Sequence, residues 1–374
     1  MSTSPTLSQG IFAWQFPNDD WARAWRDKSA SVERWWGTFP AGLPAPADLC
    51  GEHPWALGPF AKHGRPVLAP TPGAWDEGHR DGGVHNGSVV IHQDLFHYVY
   101  RGERPLDVPK QGSPMDYIGD IGLAVSANGI DFHKQGEGYF RHGDDRQYSY
   151  EDVNLVFHQG TYYLFCNRWL WERFNDPTVN GTFLAVSQDL RTWEKVGLVF
   201  PQARRIHRNG VVLQDPHNRP VRVNGRFIMY LNDGLIAHSD DLIHWTSEEN
   251  PHQWPGGEGC FALTGHDAAH PERILLFTGG NHTGRFYAIG EVALSTADPF
   301  KPLAYLPRPI LAADPGIAWE NGFGVEPPHQ PISSWADCIF FNGLTRHQGR
   351  WWMYYGGSEY YTCLATAPAT APGP

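Results

Sequence analysis

A short pattern recurs four times along the chain, as IGLAVSANGIDFHKQG (121–136), TFLAVSQDLRTWEKVG (182–197), GLIAHSDDLIHWTSEE (234–249) and GEVALSTADPFKPLAY (290–305). Each copy has a small-residue strand, a Ser, an Asn or Asp near a turn, and usually a large apolar residue closing the next strand. That is hairpin chemistry, because Asx side chains bond the turn backbone and Gly129 accepts positive φ without strain. Ahead of each copy lies a second strand pair: GSVVIHQDLFHYVYR (87–101), NLVFHQGTYYLFCNRW (154–169), RPVRVNGRFIMYLND (219–233) and CFALTGHDAAHPERILLFTGG (260–280). A fifth pair, DCIFFNGLTRHQGRWWMYYGG (337–357), is followed by YYTCLATAP as its own third strand. Five near-equal antiparallel units predict an all-β chain folded as a five-bladed β-propeller, since radial repetition leaves only short, protected sheet edges. Two β-sandwiches fit less well, because no linker divides the chain and the repeat runs through any midpoint.

The first 60 residues do not share the repeat. NDDWARAWRDKSASVERWWG (18–37) has helical spacing and Asp caps, so residues 1–60 are expected to form a short helical or irregular N-terminal cap and residues 61–374 the propeller. Aromatics make up 14% of the 374 residues, with 16 Trp, 41 Gly and 31 Pro, the profile of a turn-rich β protein whose rings fill a core or stack on sugar faces. A net charge of -11 without a long basic run argues against nucleic acid or an anionic membrane as partner. The N-terminal MSTSPTLSQGIFAWQF has no basic and apolar signal pattern, and the five cysteines are scattered without CxxC spacing. A cytoplasmic protein is therefore expected, for which the sequons at Asn86, Asn180 and Asn281 carry no meaning.

In a propeller the first strand of each blade lines the central channel, so polar residues where those strands begin converge. The candidates are His85 and Asn86; Glu151, Asp152 and Asn154; Gln214, Asp215 and His217; Glu258; and Asp337. Carboxylates stand at four of five blades. Inverting cleavage of a glycosidic bond needs one carboxylic acid to protonate the leaving oxygen and a second carboxylate, about 6.5–9.5 Å away, to activate water. Asp215 and Asp337 taken singly read as turn residues. Glu258, inside PGGEGCF, stands where flanking glycines allow close approach. Asp152, beside Glu151 and followed by a strand, is poor turn chemistry and the strongest candidate acid; Glu151 is expected to face the neighbouring structure and Asn154 to share a face with Asp152. The 19 histidines show no HExxH or facial-triad spacing, so no metal ligands are assigned; a structural cation such as calcium on the axis is left open. The excursion NRWLWERFNDPTVNGTF (167–183) brings Trp169, Trp171 and Phe174 either onto the cap or into a sugar-stacking rim.

From about residue 58 to 370 the order of RPVLAP, HNGSVVIHQDLFHYVYR, YEDVNLVFHQGTYYLF, RNGVVL with VNGRFIMYL, and WWMYYGGSEYYTCLATAP resembles the five-bladed propeller glycosidases. The likeness is greatest to glycoside hydrolase family 130, the β-mannoside phosphorylases and hydrolases, and more distant to family 43, 32 and 117 propellers. The resemblance implies Asp152 as proton donor, Asn86 as a sugar contact, Arg101 as the Arg ending the blade-one hairpin, and Glu359 where that family has an Asp. Three departures stand out: DVN in place of DPR puts Asn154 where an Arg is usual, LQDPHNRPVRVN lacks a basic match, and Thr278 replaces a His. A phosphorylase needs cations for its phosphate. The expectation is therefore an exo-acting, inverting glycoside hydrolase with Asp152 as acid and Glu258 or Asp215 as base. His85, Asn86, Arg101, Glu151, Asn154, Trp169, Asp337 and Glu359 would contact an oligosaccharide or glycoside substrate. A phosphorylase and a non-catalytic sugar-binding propeller are the alternatives, no cofactor is called for, and a homo-oligomer is compatible with all three.

Overall fold

The computed structural model describes residues 46–79, 82–106, 117–140, 148–232, 234–252, 257–280, 287–314, 316–333, 335 and 337–369. After a helix α1 (Pro46–Glu52), every regular element longer than one helical turn is a strand. Blade one is β2 (Val84–His92), β3 (Leu95–Pro105), β4 (Tyr117–Ser126) and β5 (His133–Lys134). Blade two is β6 (Ser149–His158), β7 (Thr161–Trp169), β8 (Gly181–Ser187) and β9 (Glu194–Leu198). Blade three comprises β10 (Val211–Gln214), β11 (Arg222–Val223), β12 (Arg226–Tyr230), β13 (Leu235–Ser239) and β14 (Trp245–Glu249), and blade four β15 (Gly257–Thr264), β16 (Arg273–Gly280), β17 (Ile289–Ser295) and β18 (Ala304–Tyr305). Blade five is β19 (Ile339–His347), β20 (Arg350–Gly357) and β21 (Tyr361–Pro368), completed on its outer side by β1 (Ala61–Lys62), which pairs antiparallel with β21. The chain is a five-bladed β-propeller closed by joining its two ends in one sheet.

The packing follows from strand alternation. Successive residues of an innermost strand face opposite sides, and here both sides are apolar because each blade is covered by a neighbour on each face. Leu155 packs toward blade one and Val156 toward blade three; Val212 packs toward blade two and Leu213 toward blade four. Five buried clusters result, one between each pair of adjacent blades, and the last joins Val89, Phe96 and Tyr98 of blade one to Tyr354 and Leu364 of blade five. Leu49, Leu57 and Phe60 of the N-terminal segment complete the cluster between blades four and five. The helix expected over residues 18–37 lies outside the described residues.

Blade three departs from the hairpin read in the sequence. Its innermost strand is β10, within RNGVVL, while RPVRV supplies only the short β11. The intervening residues 215–221 fold across the channel end opposite Asn209. There the Asn218 carbonyl accepts the Phe157 N–H (2.9 Å), and its side-chain amide donates to the Leu344 carbonyl (3.0 Å) and to Gln214 Oε1 (3.2 Å). One buried asparagine thus ties blades two, three and five together.

Candidate active site

At one height around the axis, every innermost strand is irregular. The ladders skip Asn86 and Gly87 in β2, Asp152 and Val153 in β6, Cys260 in β15 and Asn342 in β19, and in blade three Asn209 lies just before β10. A β-bulge re-aims the side chain at the extra residue. Here the residues at this level, Asn86, Asp152, Asn209, Cys260 and Asn342, together line one pocket. Asn86, Asp152 and Asn209 adopt φ of 44°, 53° and 54°, a region that Asn and Asp tolerate better than most side chains.

Asp152 is held from both sides. Its Oδ1 accepts from Asn86 Nδ2 of blade one and its Oδ2 from Asn167 Nδ2 of β7, each at 2.8 Å, and Arg101 Nη1 lies 3.6 Å from Oδ1. Asn167 in turn accepts the Asn209 backbone N–H at 2.8 Å. The acid is thereby fixed to the bulges of blades one and three. The neighbouring Glu151 faces blade one, where its Oε1 accepts from Arg101 Nη2 (3.0 Å) and Tyr117 Oη (2.9 Å). Burial pushes the Glu151 carboxyl up to about 7, against the pull of Arg101 and with the help of the Asp152 and Glu103 charges.

A second layer of charge lies behind this pair. Arg101 also pairs with Glu103, which receives His79 Nε2 at 2.8 Å. Burial opposes ionisation of Glu103, but Arg101 and the two histidines outweigh it and hold its carboxyl well below the usual range. His85 is fully buried, 3.8 Å from Glu103 and 3.3 Å from Glu359. Burial disfavours its imidazolium, but Glu359 and Glu103 more than compensate and raise it. Across the floor, Cys260 feels both Glu258 and Asp152; burial first and then those two charges push its thiol well up. Cys260 and Asp152 line the same pocket. Arg208, next to Asn209 in sequence, approaches Glu258 at 3.8 Å.

Of the residues singled out in the sequence, Asn86, Asp152 and Asn154 line the floor, and Glu258 adjoins it through Gly259. Asn154 has a further task that no spacing revealed: its Oδ1 accepts the Val212 N–H at 3.0 Å, as Ser88 Oγ accepts the Leu155 N–H at 3.2 Å, so each clamps the next blade. Arg101, Glu151, His85 and Glu359 form the layer behind. Asp337, at φ 63°, sits at the start of β19, where its N–H donates to the Glu320 carbonyl. Two expectations are corrected. Asp215 is a turn residue, accepting the His217 and Arg219 backbone N–H groups and pairing with the Arg219 guanidinium. It stands at the far end of β10, about 20 Å of extended chain from Asn209, as do Gln214 and His217. Trp169 is no rim residue; it is buried, stacked on Trp171 at 5.7 Å and Phe174 at 5.1 Å, beside Tyr117.

Spacing missed Asn209, Cys260, Asn342 and Asn167. The signal was present for two of them, since HNG, RNG and FNG set an Asn-Gly at the same place in three blades. Among the described residues, no three His, Cys, Asp or Glu side chains are grouped to hold a metal ion, and no helix is long and apolar enough to cross a membrane.

No protein-family profile matches the chain. Among characterised proteins it is 22% identical over 315 residues to the β-1,2-mannobiose phosphorylase of Thermoanaerobacter sp. (strain X514), covering 80% of this chain and 94% of that one. Among solved structures, the β-1,2-mannobiose phosphorylase of Listeria innocua in complex with β-1,2-mannobiose superposes with a TM-score of 0.59 at 16% identity, over 83% of this chain and 97% of the other. A structure of the GH130 family of mannoside phosphorylases, which contains glycoside hydrolases that target β-1,2-mannosidic linkages in Candida mannan, superposes with a TM-score of 0.66 at 20% identity, covering 85% and 96%. The fold these likenesses establish is that of the propeller glycosidases, as the sequence resemblance implies.

Proposed function

We propose that the chain is an enzyme of carbohydrate metabolism that cleaves the glycosidic bond of a short β-mannoside, with inversion, using inorganic phosphate as the acceptor. The observation that carries this reading is Asp152, a carboxyl set at a bulge in the pocket lining and held on each oxygen by an amide from a different strand. In the proposed reaction Asp152 gives its proton to the glycosidic oxygen as the bond to the anomeric carbon breaks. A phosphate oxygen bonds that carbon from the opposite face, so a β-linked mannose leaves as α-mannose 1-phosphate and the remaining sugar leaves with its hydroxyl restored. The choice of phosphate over water rests on the two mannobiose phosphorylases that the chain resembles. Arg208, which approaches Glu258 at 3.8 Å, is a cation on the blade-three side.

Hydrolysis is the second reading, and one observation favours it: the residues lining the floor include no Lys or Arg. Glu258, which adjoins the floor through Gly259, would then activate water. The test is incubation with β-1,2-mannobiose with and without inorganic phosphate, with products separated by chromatography. Phosphate-dependent mannose 1-phosphate is the expected product. Free mannose formed equally fast without phosphate would assign the hydrolase instead.

A further inference from the structure

The buried layer around Asp152 contains more acids than cations. Its carboxyl groups are Glu103, Glu151, Asp152 and Glu359, and its cations are Arg101 and, once protonated, His79 and His85. Burying unmatched carboxylates is costly, so part of the excess must be neutralised by protons. The partners decide where. Glu103 has Arg101 and His79, Glu359 has His85, and Asp152 has two amide N–H donors from Asn86 and Asn167. Among the described residues, Glu151 has only the Tyr117 hydroxyl and a share of Arg101. The guanidinium is divided, with Nη2 on Glu151 and Nη1 toward Asp152.

We propose that Glu151 is a positioning residue which holds a proton near neutral pH and, through the Arg101 guanidinium it shares with Asp152, sets the pH range over which Asp152 serves the reaction. When Glu151 loses that proton its charge draws Arg101 away from Asp152, which keeps its two amide donors but loses the nearby cation. Among the described residues, the titratable or charged groups facing Glu151 are Arg101 and Glu103 of β3, Tyr117 of β4 and Asp152 of its own strand, with His79 and His85 acting through Glu103. The raised Glu151 carboxyl agrees with this charge count.

The inference rests on the proposed function only for its kinetic half, so two readouts separate them. Infrared difference spectra of the ligand-free protein between acid and alkaline pH should show a protonated-carboxyl band that titrates near neutrality in the wild type and is absent from Glu151→Gln. In Tyr117→Phe, which removes one donor to the carboxylate, the band should persist to higher pH. With β-1,2-mannobiose and phosphate, the alkaline limb of kcat/KM should move by about one pH unit or more in Glu151→Gln. A purely structural role would instead lower kcat/KM by one factor at every pH. A band that survives in Glu151→Gln, or a limb that stays in place, overturns the proposal. Absence of all mannoside cleavage by the wild type would defeat the function above, leaving the infrared result to decide this one.

Discussion

At the residue scale, the adjacent acids Glu151 and Asp152 diverge because a bulge separates them: one turns to blade one, the other to the axis. The consequence for Glu151 can be read in stability. Its folded value, about 7, lies above the roughly 4.3 of an exposed glutamate, so its contribution is fully present below the unfolded value and is lost as pH rises to about 7. Glu151→Gln stays neutral throughout, and its stability relative to wild type should rise between about pH 4.5 and 7 and then level off, by at most about 4 kcal/mol. Chemical denaturation at intervals of pH measures this; a flat difference would remove Glu151 from the account. The Glu103 contribution has the opposite sign but is common to both proteins. Local sequence marked Asp152 because two adjoining acids before a strand make poor turn chemistry. It did not mark Asn209 or Asn342, because Asn-Gly reads as a tight turn until the sheet register reveals a bulge. Nor did it mark Asn167, which lies on the second strand and reaches Asp152 only through cross-strand pairing.

At the element scale, the residues inserted after β10 illustrate how a departure from a repeat acquires a task. The segment QDPHNRP interrupts the blade-three hairpin, and its polar residues suggest an exposed loop. Asn218 instead lies 1% exposed across the axis, satisfying the Leu344 carbonyl and Gln214 Oε1. Replacing it by alanine strands both acceptors in a buried place, for which a loss of about 1–3 kcal/mol is expected. Urea unfolding of Asn218→Ala should show that loss, and an unchanged midpoint would mean that the segment does not bind the blades together. The blade count was legible because strand flavour repeats. The innermost strand of blade three was not, because four residues carry it and its partner lies beyond the insertion.

At the scale of the whole molecule, the ring closes through a two-residue strand, and Lys62 in that strand secures it. Its Nζ lies 2.6 Å from Glu320 Oε2 and 2.7 Å from the Ala312 carbonyl, while the fully buried Glu320 also accepts from the Tyr355 hydroxyl at 2.7 Å. Removing one partner of a buried ion pair typically costs about 3–5 kcal/mol. Lys62→Met should therefore lower Tm clearly in a calorimetric scan, and a Tm within one degree or so of wild type would show that closure depends on apolar packing alone. Closure is also what brings Asn342 beside Asn86, so the floor exists only in the complete ring.

In the proposed reaction Asp152 donates the proton to the departing sugar. An acid matters most when the leaving group is a poor one. The direct measurement compares Asp152→Asn with wild type on two β-mannosides, one with a sugar as leaving group and one with dinitrophenolate, which departs without a proton. A loss of about 10²–10⁴-fold on the sugar and little loss on the dinitrophenyl substrate are expected if Asp152 is the acid; equal losses on both, or none on the sugar, would rule that role out.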